Sequence, residues 1–371
     1  MNKKLAFNAS AAALATAIAS PAFAGPTYEN DTGGSFTWYG QFDPSFQSYD
    51  DGTETYDRLV DNAGSNSRIG FRLSQAFGEN TMTFHFETAF GLRSSAGVSQ
   101  SSTGDALSWD RTNLRHVDLQ YDTARFGKFS AGQGSMASDG IAGSDQSGTG
   151  VVASVAVADP AGGYAFRTSA GALSSVDVGD VFTDYDGGRL GRVRYDSNSY
   201  NGFVFSASYG TDVLKTSNDR ETYDVAVRYN NNDLGDFALA AALGAAWTEE
   251  TGTADKRDIV GSVALEHKPT GLSLALASGE RDIAGSYGYA KLGYTADLTS
   301  LGATAFSVDY YDGSDMASTG DSAQSWGVAA TQKIDNYNVE AYLAYREYAY
   351  EDTSTTYSDS SVIMAGARWK F

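Results

Sequence analysis

The 371-residue chain contains no cysteine, so disulfides, thiolate nucleophiles and cysteine-bound metals are excluded. Histidine is nearly as scarce. His85, His116 and His267 lie far apart in sequence and lack the i,i+4 spacing of a helical zinc site. Positive charge is short, with 26 Lys and Arg against 46 Asp and Glu and a formal net charge of −20. That balance argues against nucleic acid as a partner, because phosphate binding draws on Lys and Arg. Beyond the first 24 residues no apolar run approaches the roughly 20 residues that a membrane-crossing helix needs. Mean hydropathy is polar, at −0.32. No G-x-S-x-G elbow is present, which counts against a serine hydrolase. The 5 prolines against 41 glycines fit turns and curved strands better than helices.

The N-terminus carries Lys3 and Lys4, an Ala-rich apolar stretch over Leu5 to Ser20, and then Pro21-Ala22-Phe23-Ala24. This order predicts a cleaved secretory signal peptide over residues 1–24. Its removal takes away two lysines and no acid, moving the charge from −20 to −22. The C-terminus, Ser361 to Phe371, alternates Ile363, Ala365, Ala367, Trp369 and Phe371 with Gly366, Arg368 and Lys370. That period-2 pattern describes a strand with one greasy and one charged face, its aromatics bunched as at a membrane–water interface. The 23 tyrosines and 19 phenylalanines suit interfacial girdles.

The same alternation recurs along the chain. It predicts sixteen strands, beginning at Ser35–Tyr49, Arg68–Phe77 and Met82–Leu92 and closing with Ser361–Phe371. Connections alternate short and long, with polar loops expected over Asp50–Asn66 and Ser94–Trp109. Over Gly134 to Gly188 the alternation stops, and a connection of that length is abnormal unless functional. The pattern predicts an all-β fold, a 16-stranded antiparallel transmembrane β-barrel, which hydropathy conceals because every second residue faces water.

Four fragments then carry a family resemblance. They are Phe36-Thr-Trp-Tyr-Gly-Gln-Phe-Asp, Phe126-Gly-Lys-Phe-Ser-Ala-Gly-Gln, the pair Arg192-Val-Arg-Tyr-Asp-Ser and Gly202-Phe-Val-Phe-Ser-Ala-Ser-Tyr-Gly, and the C-terminal strand. In this order and spacing the chain resembles the trimeric general diffusion porins of Gram-negative outer membranes. The resemblance implies a homotrimer set among lipid and lipopolysaccharide. It implies Phe371 as part of the signal read by the barrel-assembly machinery. It implies a third loop, about residues 134–188, folded into the lumen as a constriction. Small hydrophilic solutes and ions would pass it, with no cofactor and no chemistry.

Within that frame, Asp139 and Asp145 are the expected acidic members of the constriction, and Arg68, Arg72, Arg192 and Arg194 the basic wall opposite. Opposed rings of charge tune ion passage. Gln133 stands where many relatives carry Arg, which with the acidic balance predicts weak cation selectivity. Clustered loop carboxylates are potential Ca²⁺ ligands, but no loop has a calcium-binding spacing. Two other readings compete. A substrate-specific channel would want a basic lining for phosphate, whereas the long segment holds no Lys and only Arg167. An outer-membrane hydrolase would want assembled catalytic groups.

Overall fold

A computed structural model describes residues 25–216 and 220–371. The expected signal peptide lies outside the described residues. One antiparallel sheet closes on itself as a barrel of sixteen strands. In chain order, β1 comprises Gly34–Phe42 and Pro44–Asp50, and β2 comprises Thr55–Asp61 and Arg68–Phe77. Then follow β3 (Asn80–Ala89), β4 (Leu114–Thr123), β5 (Gly127–Ser135), β6 (Arg189–Asp196), β7 (Phe203–Thr211) and β8 (Glu221–Leu234). The second half is β9 (Phe237–Glu249), β10 (Lys256–His267), β11 (Leu272–Arg281), β12 (Ala284–Thr299), β13 (Gly302–Ser314), β14 (Ser322–Ile334), β15 (Val339–Glu351) and β16 (Ser360–Lys370). Thr27–Glu29 adds a short extra pairing to β1.

Closure follows from β16 lying against β1. Gln41 faces Lys370 and Phe42 faces Trp369, and beyond the bend at Asp43 the pairing resumes from Ser45–Gly366 to Asp50–Ser361. Phe371 and Gly40 exchange backbone hydrogen bonds of 2.8 and 3.0 Å. A Cβ on Gly40 would sit 2.6 Å from the Phe371 ring, so the bare glycine makes room for the terminal aromatic. A closed sheet leaves no unpaired edge, which is what a strand structure needs in lipid.

Side chains divide by alternation. Phe205, Tyr209, Tyr223, Val225, Leu243, Leu274, Leu292, Tyr310 and Trp326 stand on the exposed face. Their neighbours Ser206, Ser208, Asp224, Ser262, Ser273, Lys291, Asp309 and Ser325 are buried on the other. A greasy exterior over a polar reverse face is the membrane-barrel pattern.

One expected loop is a strand. Residues Thr55–Asp61 pair with Pro44–Asp50 as a hairpin, leaving only residues 51–54 as the turn. Asp51 fixes that turn by accepting from the Thr53 and Glu54 amides at 3.0 and 2.9 Å. The strand is hidden in sequence because charged Asp57 and Asp61 flank Leu59 on the face that would be apolar, with Leu59 itself 73 % exposed.

Residues 136–188 contain only a two-stranded piece, Ala165–Arg167 with Leu173–Asp177, and one helical turn, Val178–Val181. The segment lies along the polar face of the wall. The Ser138 amide donates to Asp224 of β8 at 2.7 Å, and the Ser262 hydroxyl of β10 donates to the Ile141 carbonyl. Thr149 bonds Ser307 of β13 at 2.7 Å, and Tyr348 of β15 donates to the Val157 carbonyl at 2.8 Å. The return arm is held by rings. Tyr164 stacks on Tyr49 at 4.0 Å, Phe166 lies 5.4 Å from Tyr350, and Phe182 lies 5.4 and 5.2 Å from Tyr311 and Tyr348. These rings form the middle of the main hydrophobic core, between segment and wall. Small wall residues let the backbone press close. A Cβ on Gly293 of β12 would meet Ser147 at 2.5 Å.

Candidate functional site

The polar face of β2–β6 concentrates ionisable groups. Glu87 on β3 is the hub, accepting from Tyr39 at 2.7 Å and from Arg115 Nε at 2.5 Å, with Arg68 Nε at 3.8 Å. Asp118 on β4 receives Arg192 Nη2 at 2.9 Å. His85 and His116 stack at 4.3 Å, with their Nδ1 atoms 3.6 and 3.5 Å from the Asp118 carboxylate. Among the described residues this is the one cluster with metal-ligand proximity. Stacked imidazoles cannot both direct an in-plane lone pair at a shared ion, and the Arg192 pair on Asp118 opposes a further cation.

The expected basic residues are therefore on one stretch of wall, and most are partnered there. Arg68 lies by Glu87, Arg192 on Asp118, and Arg194 on Asp196 at 2.7 Å. Arg194 also donates to the Met136 carbonyl at 2.6 Å, tying the start of the long segment to β6. Arg72 rests over the Tyr39 ring at 4.8 Å, a cation–π contact.

None of these four arginines pairs with Asp139 or Asp145. Asp139 takes Arg189 at 3.5 Å, and Asp145 takes Lys291 of β12 at 2.9 Å. Lys291 is almost fully buried and also donates to the Ala153 carbonyl at 2.7 Å. Burial would raise the Asp145 carboxyl, but the Lys291 ammonium and the Ser147 donors outweigh it and hold it below its ordinary value. Asp145 thus anchors the segment to the wall. Asp186 accepts from the Gly140 and Ala142 amides at 2.6 and 3.0 Å, bringing the segment's two ends together. Burial, then the neighbouring Asp184 and Asp139 charges, push Asp186 up to about 7. Burial, with Asp184 behind it, pushes Asp159 up to about 7 as well.

Arg115, Arg189, Arg228 and Lys291 were not among the expected site residues. Arg228 and Lys291 are lone cations at polar positions of regular strands, so the alternation itself was the available signal. Arg115 is different. Pairing between β3 and β4 slips from Glu87–His116 to Thr88–Leu114, leaving Arg115 as the extra residue of a bulge. A bulge re-aims a side chain, and strict alternation would have assigned this one to the lipid face.

With this geometry the comparisons are decisive at family level. A sequence profile described as Gram-negative porin matches residues 9–353. The chain belongs to the Gram-negative porin family. It is a channel protein of the outer membrane. No curated protein matches it significantly. Among solved structures it resembles OmpT of Vibrio cholerae, at 14 % identity and TM-score 0.58, covering 93 % of this chain and 100 % of that one. The anion-selective porin from Comamonas acidovorans is similar at 14 % identity and TM-score 0.58, covering 91 % and 100 %. OmpF of Salmonella typhi, in complex with daunomycin, is similar at 15 % identity and TM-score 0.58, covering 93 % and 100 %. At such identities the likeness speaks for the porin fold alone.

Proposed function

We propose that this porin is a passive, non-enzymatic diffusion channel for small hydrophilic solutes and ions, assembled as a homotrimer. The observation that carries this reading is where the long segment is bonded. It is tied to β1, β7, β8, β10, β12, β13 and β15, to β6 through Arg194 and Arg189, and to the first half of β2 through Tyr56. Among the described residues no hydrogen bond or ion pair joins residues 137–188 to β3, β4 or β5. In this reading residues 134–188 fill one side of the lumen and leave a water-filled lane along β2–β6. Arg68, Arg72, Arg192 and Arg194 line or brace the lane, Asp139 faces it, and Asp145 holds its opposite bank. The relative described as a trimer form, OmpT of Vibrio cholerae, supports the assembly state.

The lane is weakly cation-selective in this reading. The whole chain carries −20, and Arg68, Arg192 and Arg194 are countered locally by carboxylates. Proteoliposomes test the passive role. Swelling in neutral sugars should slow smoothly with sugar size and show no saturation, whereas saturable uptake of one sugar would contradict it. In a KCl gradient the reversal potential should report a modest preference for K⁺; a chloride preference would contradict the ionic bias.

A further inference from the structure

At the long-loop end of β3–β7 the wall forms an open cavity of about 250 Å³. Arg115 and Arg189 line it together with Asn66, Thr112, Asn113 and Gln133. Two features set it apart from the paired charges deeper in the wall. First, the guanidinium donors of Arg115 and Arg189 are largely unspent. Arg115 commits Nε to Glu87, and among the described residues neither of its Nη groups makes a hydrogen bond. Arg189 has only Asp139, at 3.5 Å, and its Nε is buried without a partner. Second, the charge does not cancel. Arg115, Arg189, Lys215 and Arg220 line the cavity against one lining carboxylate, Asp212, while Arg68, Glu87 and Asp139 stand beside them. Lys215, also on the lining, adds a solvent-reaching ammonium beside Asp212. Both arginines remain accessible, with side chains 22 % and 31 % exposed.

A planar guanidinium with free N–H groups is built to receive an oxyanion through parallel hydrogen bonds. Neutral donors from Asn and Thr around it can take the remaining lone pairs. We propose that this cavity is a binding site for a compact polyvalent oxyanion, a small dicarboxylate or a phosphate, held between Arg115 and Arg189 at the mouth of the lane. The site runs against the overall field of the molecule. A barrel that favours cations in bulk would still retain polyvalent anions at one local station before they pass.

The proposal rests on the channel reading for its meaning, but not for its test. Succinate and inorganic phosphate, each at matched ionic strength, are titrated into the folded detergent-solubilised protein by calorimetry, with acetate as the monovalent control. Wild type should bind one or both polyvalent anions, with acetate at least tenfold weaker. Arg115→Gln and Arg189→Gln should each weaken binding at least tenfold, while Arg125→Gln, at the opposite rim, should not change it. Succinate binding without phosphate binding would assign the site to carboxylates, and the converse to phosphates. No binding at millimolar concentration, or binding indifferent to both substitutions, would overturn the proposal. The same anions added to wild-type channels in a planar bilayer should produce concentration-dependent block from one side. Normal KCl conductance without binding would remove the site and leave the channel reading intact. Binding without conductance would do the reverse.

Discussion

Asp159 and Asp186 give the long segment a pH dependence. Both carboxyls are raised to about 7, chiefly by burial. A carboxyl raised in the folded state takes up its proton before the unfolded chain does. Between pH 8 and pH 5 the folded protein therefore gains protons that the unfolded chain lacks, and docking of the segment tightens as pH falls. In the channel reading the same protonation removes negative charge from the segment. Cation preference, read from reversal potentials, should accordingly fall between pH 8 and pH 5. Asp159→Asn combined with Asp186→Asn should flatten that profile; an unchanged profile would contradict the assignment. Asp145 behaves oppositely, since Lys291 keeps it ionised. Lys291→Ala leaves a buried carboxylate without its cation, which costs about 3 kcal/mol. A lowered urea midpoint together with noisier open-channel current would register it. Arg68, Arg72, Arg192 and Arg194 were legible as polar-face residues from the two-residue period. Arg115 was not, because one inserted residue between Arg111 and Val117 cancels that period locally and sequence gives no mark of it.

At the scale of elements, long regular strands were legible and irregular ones were not. The strand Phe203–Thr211 announces itself by Phe203, Phe205 and Tyr209 alternating with Ser206, Ser208 and Gly210. The first half of β2 does not, since its exposed face carries Asp57 as well as Leu59. The long segment was legible only as an interruption. Its attachment depends on partners far along the chain, such as Tyr348 for Val157, 191 residues away, and Lys291 for Asp145, 146 residues away, which no local pattern can show. The aromatic seam is its strongest hold. Tyr164→Ala or Phe166→Ala should each cost about 3 kcal/mol by removing a buried ring. Limited proteolysis should then cut within residues 161–188 faster than in wild type while the barrel stays intact. Equal protection in both would show that hydrogen bonds alone keep the segment down.

For the whole molecule, the same alternation that hides the barrel from hydropathy builds its two solvents, lipid outside and water within. A wide barrel of sixteen strands would by itself be an open hole. In this account residues 134–188 turn the hole into a lane, and the charges along β2–β6 give the lane its bias. In this reading the segment sets the aperture. Single-channel recording in a planar bilayer tests it most directly, comparing wild type with a variant in which residues 142–182 are replaced by a short glycine–serine bridge. Wild type should insert in steps that close in three equal levels. The shortened variant should keep the three levels with a markedly larger conductance at each. Equal conductance in the two proteins, or no conductance from a folded wild type, would contradict the account.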